Sequence, residues 1–209
     1  MSHRSNRPPP PLAVHSWALE APDVRLAWIT KPRVGESVSG DAVVVRRYGA
    51  GALVAVVDAL GHGPNAARVQ EAAVEWLGAA PDADTIDPLI QGLHKALAGL
   101  RGAATLLFGI SARGIEACSV GNVSLRSVTG KLPFVLTPGV LGQRLRAPRT
   151  CFTAAPLTDR FVLFSDGISG RFDLKAEASQ SPEELATHLF AKHRHAHDDS
   201  TAVVVDVKL

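Results

Sequence analysis

Residues 41–63 read DAVVVRRYGAGALVAVVDALGHG, a pattern of two apolar segments around a short glycine-containing loop. Two runs rich in β-branched residues, Asp41 to Arg47 and Gly51 to Asp58, are separated by Tyr48-Gly49-Ala50. Such runs joined by a short glycine-containing loop are typical of a β-hairpin. The sequence therefore predicts two neighbouring antiparallel strands, and each has an aspartate at one end.

Three segments that follow the hairpin have helical periodicity. Apolar residues recur at three- and four-residue spacing from Asn65 to Leu77 and from Asp87 to Leu100, with Asp87 as the expected N-cap. A third helix is predicted over Leu185 to Lys192. It follows Ser181-Pro182-Glu183-Glu184, the pattern of a capping box with proline at its start.

Much of the remaining chain consists of short strand-like segments broken by Gly, Pro and Asn. They are Val24 to Thr30, Ala104 to Ser111, Ile115 to Val120, Val123 to Thr129, Arg149 to Ala154, Phe161 to Phe164 and Thr201 to Val207. Many short strands, with two helices after the first hairpin and one late helix, favour an α+β fold over repeated βαβ units. Residues 13–209 are expected to form one domain.

Residues 1–12 contain four consecutive prolines, which lack the backbone donor that helices and central strands need. We expect an extended, disordered tail there, with a polyproline ligand for a partner as the less favoured alternative.

Composition excludes several classes of protein. The chain has 209 residues, 46% of them apolar, which suits one globular domain. Its 22 Lys and Arg against 20 Asp and Glu leave a net charge of +2, too small for the broad positive field of a nucleic-acid-binding or anionic-membrane-binding protein. No apolar run approaches the ~20 residues of a membrane span, and the N-terminus does not resemble a signal peptide.

The two cysteines, Cys118 and Cys151, form no CxxC pair and are predicted to be small core residues. A cytoplasmic enzyme or an interaction module remains.

Aspartates at predicted strand edges, each beside small residues, recur in four segments. These are Ser39-Gly40-Asp41, Asp58 to Gly63, Ser165-Asp166-Gly167 and Asp198-Asp199-Ser200-Thr201. Mg²⁺ and Mn²⁺ prefer carboxylate oxygens, and small neighbours leave room for metal and water. Asp and Gly also mark ordinary turns, so it is the recurrence that favours a metal site.

In their order along the chain, these motifs resemble those of the metal-dependent (PPM, type 2C-like) serine/threonine protein phosphatases of the bacterial SpoIIE/RsbX branch. Arg101 to Thr105, Cys118 to Val123 and Pro138 to Gly142 are most similar to the RsbX group. The resemblance runs from about Lys31 to the C-terminus. It implies a four-layer αββα sandwich, two antiparallel β-sheets flanked by helices, with the metals at one end.

The resemblance also implies how two Mn²⁺ or Mg²⁺ ions are held. The implied metal ligands are Asp41, Asp58, Ala59, Asp166, Asp198 and Asp199. Asp58 is expected to bridge both ions and to be essential for catalysis, while Ala59 contributes only its carbonyl. Asp166 and Asp198 hold the first ion, Asp41 approaches the second, and Asp199 is a ligand or a residue that orients the loop. A water acidified by the two ions then attacks the phosphorus without a covalent enzyme intermediate.

Three features depart from the family pattern or stay open. Ala59 replaces the usual glycine, and a positive φ there would cost alanine more. His62 is expected either to donate a proton to the leaving oxygen or to be a loop residue at the helix start. The phosphate-binding arginine of larger family members has no secure counterpart, and Lys31 and Arg33 are the candidates.

The expected function is that of a cytoplasmic, monomeric phosphatase acting on phosphoserine or phosphothreonine. By resemblance, its substrate is an STAS-domain protein of a stressosome or partner-switching module. A second hypothesis, motivated by Ala59 and by the uncertain phosphate-binding residue, is a catalytically weak member that binds a phosphorylated regulator. A third is a nucleotide-binding α/β domain that uses Gly61 and Gly63. No nucleic-acid or membrane partner is expected.

Overall fold

The computed structural model describes residues 12–209. Its helices are α1 (Pro64–Ala79), α2 (Asp87–Ala96) and α3 (Pro182–His193). Its strands are β1 (His15–Leu19), β2 (Asp23–Lys31), β3 (Asp41–Tyr48), β4 (Gly51–Ala59), β5 (Ala103–Ser111), β6 (Gly114–Val120), β7 (Ser124–Ser127), β8 (Leu136–Thr137), β9 (Gly139–Val140), β10 (Arg144–Leu145), β11 (Cys151–Ala154), β12 (Thr158–Phe164) and β13 (Ser200–Lys208). The tail predicted for residues 1–12 lies outside the described residues except for Leu12.

Two sheets form the centre of the molecule. Sheet I has the order β1-β2-β13-β12-β7, and sheet II has the order β11-β6-β5-β4-β3. These strand pairs are all antiparallel, as predicted. One addition corrects the prediction, because the short strand β8 pairs in parallel with the end of β6 and makes sheet II mixed. Strands β9 and β10 form a separate small hairpin.

Strand β4 shows why the sheets and helices stack in layers. Its side chains alternate, so Val54 and Val56 pack between the two sheets, whereas Leu53 and Val57 pack against α1 and α2. Both faces of the strand are therefore buried. Each fully buried valine or leucine contributes roughly 1.5–3 kcal/mol of hydrophobic stabilisation, which explains the nearly continuous apolar run.

Helix α3 covers the outer face of sheet I. Its Leu185 and Leu189 are buried with Val162 and Val204 in a third apolar cluster. The predicted capping box is confirmed, because the Glu184 amide donates to the Ser181 hydroxyl over 3.2 Å and the Ser181 amide donates to Glu184 Oε2 over 2.8 Å. The four-layer αββα sandwich is thus confirmed.

Several local predictions are corrected. Asp87 is the first residue of α2 rather than its N-cap, which is Ile86, and Asp87 instead accepts a hydrogen bond from the Thr150 hydroxyl. Helix α2 ends at Ala96 rather than near Leu100. Strand β1, strand β8 and the β9–β10 hairpin were not predicted from the sequence. Cys118 and Cys151 are buried and free, as predicted.

The connection between β4 and β5 bears on the nucleotide-binding hypothesis. These strands are antiparallel neighbours with α1 and α2 between them, so the loop at Gly61 and Gly63 does not belong to a parallel βαβ unit. A dinucleotide fingerprint requires that unit, and the geometry therefore disfavours this alternative. None of the helices within residues 12–209 is long and apolar enough to cross a membrane.

Candidate metal centre

Asp41 and Asp58 lie directly opposite each other on the antiparallel strands β3 and β4. Asp58 shares its side of the strand with Val54 and Val56, and Asp41 shares its side with Val43 and Val45. Both carboxylates therefore belong to the face between the sheets, at the end where the apolar core stops. The predicted hairpin brings these two residues together.

Sheet I contributes a polar layer at the same end. The Ser165 hydroxyl donates a 2.6 Å hydrogen bond to Asp41 Oδ2, and the Thr201 amide donates to the Ser165 oxygen over 3.0 Å. Asp41 is only 3% exposed. The network therefore joins the two sheets through a buried carboxylate, and it sets the position of Asp41.

Asp199 holds two loops to the start of β13. Its Oδ1 accepts a 2.8 Å hydrogen bond from the Arg33 amide, and its Oδ2 accepts a 2.7 Å bond from the Gly40 amide. A side chain at residue 40 would press on Ala66 and on Asp199, so this close approach requires glycine. Both oxygens of the buried Asp199 carboxylate thus serve to orient the loops.

Asp166 and Asp198 lie on the neighbouring loops of sheet I. Asn122 Nδ2 donates to Asp166 Oδ2 over 2.6 Å, and Asp198 Oδ1 accepts from the Asp199 amide over 2.9 Å. A Cβ at Gly167 would overlap the Asp199 carbonyl oxygen, so the Ser-Asp-Gly sequence allows the two loops to touch. Asp166 is exposed and directs its carboxylate toward Asn122.

The aspartates disfavour each other's ionised forms. Burial raises the pKa of Asp58, and repulsion by Asp41, Asp166, Asp198 and Asp199 raises it further. Burial also raises the pKa of Asp41, although the hydrogen bonds from Ser165 and Thr201 oppose that shift. Partial shielding of the Asp166 carboxylate from water and then repulsion by Asp198 raise the pKa of Asp166, against the hydrogen bond from Asn122.

This set of donors fits a hard divalent cation. It consists of carboxylate oxygens, whose repulsion a cation would relieve. Within residues 12–209, no three His, Cys, Asp or Glu side chains are arranged as a ready-formed metal-binding group. The fit therefore rests on the chemistry of the donors and on their mutual repulsion.

The structure places the other candidates around this centre. His62 is exposed, and its Nδ1 lies 3.0 Å from Glu36 Oε1. Ala59 is the last residue of β4, and no non-glycine residue within 12–209 has a positive φ. The conformational cost considered for Ala59 is therefore absent.

Both candidate phosphate-binding residues lie at the same end of sheet I. Lys31 pairs with Ser200 in the register of β2 and β13. Arg33 Nε is buried without a hydrogen-bond partner, and the Arg33 amide is bound to Asp199.

Sequence reasoning assigned no roles to Ser165, Thr201, Asn122 or Glu36, although each contacts a candidate residue. For two of these residues, the alternation of side chains along the strands could have indicated a place beside the site. Ser165 and Thr201 share the inward side with Leu163 and Val203, and a polar residue where an apolar series ends indicates the edge of a core.

No protein-family model matches the chain, and no curated protein matches it. Solved structures do match. One match is described in connection with the bacterial stressosome, a modular system that has been adapted to control secondary messenger signalling. It is 29% identical to this chain, with a TM-score of 0.80 over 88% of this chain and 99% of that chain. RsbX in complex with magnesium is 21% identical, with a TM-score of 0.80 over 94% and 100% of the two chains.

A third match is the catalytic domain of the serine/threonine phosphatase PstP in complex with two manganese ions. It is 18% identical, with a TM-score of 0.68 over 89% of this chain and 99% of that domain. The chain has the PPM-type phosphatase fold, which RsbX and the phosphatase domain of SpoIIE also have. The predicted resemblance is thus confirmed for the fold. In the PPM-type fold of this chain, the paired aspartates of sheet II face the Asp166 and Asp198 loops of sheet I.

Proposed function

We propose that the chain is a metal-dependent phosphatase that hydrolyses phosphoserine or phosphothreonine on a protein partner. The pairing of Asp41 with Asp58 at the polar end of the sandwich carries this proposal. The PPM-type fold supports it, as does the fit of the carboxylates to Mn²⁺ or Mg²⁺.

The proposed ligands divide between the two sheets. Asp58 and the Ala59 carbonyl on sheet II would hold the ions together with Asp41, and Asp166 and Asp198 would complete the set from sheet I. When bound, two such ions supply an acidified water as the nucleophile and offset charge on the phosphoryl oxygens. Ser165 and Asn122 hold the carboxylates of Asp41 and Asp166 in place before an ion arrives. Asp199, which the family resemblance implies as a ligand or an orienting residue, is a positioning residue in this proposal because both its oxygens already bind backbone amides.

Two further residues complete the proposed site. His62 is positioned by Glu36 and is exposed, so it is able to give a proton to the leaving serine or threonine oxygen. Arg33 is the better phosphate-binding candidate because its Nε is buried without a partner. Lys31 is the alternative.

We infer that the substrate is a phosphorylated STAS-domain regulator in a stressosome or partner-switching system, and that the enzyme acts as a cytoplasmic monomer. The likeness to RsbX and to the stressosome-associated structure supports this choice of partner. The alternative of a catalytically weak binder loses one of its two motivations, because Ala59 adopts its conformation without a positive φ.

Hydrolysis of p-nitrophenyl phosphate with added Mn²⁺ tests the proposal. The wild type is compared with Asp58→Asn and Asp166→Asn, and with Asp173→Asn as a control on an exposed carboxylate outside the centre. We expect metal-dependent turnover that both site variants lose and the control keeps. No turnover by the wild type on this substrate or on phosphopeptides would overturn the phosphatase proposal.

A further inference from the structure

Charge is distributed unevenly along the chain. Residues 117–158 contain five Lys or Arg and no Asp or Glu, although the whole chain has 20 acidic residues. Arg126 is engaged locally, since its Nη1 donates to the carbonyl oxygens of Gly170 and Phe172. The other four are exposed, and their side chains make no ion pair or hydrogen bond within residues 12–209: Lys131, Arg144, Arg146 and Arg149.

Two of these arginines line a groove of about 450 Å³, which we name the basic groove. Its lining residues are Leu136, Thr137, Pro138, Arg146, Ala147 and Arg149. Leu136 is 46% exposed, although it is a large apolar side chain. The groove therefore combines two unpaired guanidinium groups with an uncovered apolar surface.

The basic groove adjoins the candidate metal centre. Thr137 lies on β8, and its carbonyl accepts a 2.9 Å hydrogen bond from the Gly121 amide. The next residue, Asn122, donates to Asp166. The consecutive residues Gly121 and Asn122 therefore connect the groove to Asp166.

We propose that the basic groove binds an acidic segment of the phosphoprotein substrate, next to the phosphorylated residue. Guanidinium groups bind carboxylates through paired, charge-assisted hydrogen bonds, and the groove has no carboxylate of its own to compete. This inference rests on the proposed function for its substrate. It adds a determinant of specificity outside the metal centre.

Fluorescence anisotropy tests the groove without requiring turnover. The probe is a fluorescein-labelled phosphoserine peptide with Asp and Glu on either side, compared with the same peptide carrying Asn and Gln. Both are titrated with the Asp58→Asn protein. We expect the acidic peptide to bind about tenfold more tightly at low salt, and the preference to shrink as salt screens the charges.

The double variant Arg146→Glu/Arg149→Glu, in the same Asp58→Asn background, is expected to abolish this preference. Its matched control is Arg25→Glu/Lys208→Glu, which makes the same change in charge at the opposite end of sheet I, where Asp23 and Lys208 pair in register. The control is expected to keep the preference. Turnover of p-nitrophenyl phosphate by Arg146→Glu/Arg149→Glu with Asp58 intact should equal that of the wild type, because this substrate has no flanking residues.

Equal binding of the two peptides by the Asp58→Asn protein would overturn the proposal. Equal losses in the groove and control variants would also overturn it, since they would trace the effect to net charge alone. Stronger groove-dependent binding of single-stranded DNA than of the acidic peptide would assign the groove to nucleic acid instead. If the wild type hydrolyses neither p-nitrophenyl phosphate nor phosphopeptides, only the phosphatase proposal is overturned. The proposal for the groove is tested by peptide binding, which does not require turnover.

Discussion

The Ser165 hydroxyl binds Asp41 Oδ2 over 2.6 Å and so connects residues 124 positions apart in the chain. The same hydroxyl oxygen accepts from the Thr201 amide. This contact joins the end of β12 in sheet I to the start of β3 in sheet II. The Ser165 hydroxyl is a neutral hydrogen-bond donor, and it stabilises the ionised form of Asp41, which burial disfavours.

Replacing Ser165 with alanine is expected to destabilise the protein by about 2–4 kcal/mol, because the buried Asp41 carboxylate and the Thr201 amide each lose a partner. Thermal unfolding of the metal-free protein measures this loss. Ser179→Ala, at an exposed position, is the control and should leave the melting temperature unchanged. A Ser165→Ala protein as stable as the wild type would show that water replaces the hydroxyl.

Asp199→Ala is expected to weaken Mn²⁺ binding by about 10–100-fold, the usual effect of removing a residue that orients metal ligands. The loops at Arg33 and Gly40 lose their anchor in this variant. Calorimetric titration with Mn²⁺ measures the affinity. The matched control is Asp173→Ala, which also removes a carboxylate that accepts two backbone amides but lies outside the centre. Equal affinities in the two variants would contradict a positioning role.

Asp58→Asn is expected to stabilise the metal-free protein at pH 8. The folded-state pKa of Asp58 is raised, so its contribution to stability is complete below the ordinary value of 3.8 and is lost as pH rises toward the folded value. Asparagine does not titrate, so the advantage of the variant should grow from pH 5 to pH 8. We expect a gain of at least about 3 °C in melting temperature at pH 8, equivalent to ~1 kcal/mol.

Two comparisons accompany that measurement. Saturating Mn²⁺ should reverse the order, because only the wild type keeps the proposed bridging ligand. Asp82→Asn should not stabilise the protein at pH 8, because hydrogen bonds from the Gly49 amide and from Arg46 lower the pKa of Asp82. Identical pH profiles for wild type and Asp58→Asn would contradict the electrostatic account of the centre.

His62→Gln is expected to reduce kcat on a phosphoserine peptide by about 10²-fold or more, which is the usual contribution of a general acid. Its effect on p-nitrophenyl phosphate should be much smaller, because nitrophenolate leaves without a proton. Steady-state kinetics on both substrates give the comparison. Equal losses on the two substrates would show that His62 only orients the loop with Glu36.

Much of the fold could be predicted from local patterns. Alternating and β-branched residues indicate the strands, and three- and four-residue spacing indicates the helices. Strands β8, β9 and β10 were missed because each has two residues, too few for a period to appear. Asp87 was assigned the wrong capping role because Thr150, 63 residues away, binds its carboxylate.

The pairing of Asp41 with Asp58 follows from local sequence, since a hairpin with a short loop leaves one register that keeps both apolar faces buried. Local patterns also place five aspartates at strand edges beside small residues. Which of their carboxylates remain free follows from contacts between distant parts of the chain. Strand pairing within sheet I brings Asn122 to Asp166 and the Arg33 amide to Asp199 Oδ1. Packing of sheet II against sheet I brings the Gly40 amide to Asp199 Oδ2. Those contacts depend on how strands that are far apart in the sequence pair and pack. Local sequence periodicity does not encode this arrangement.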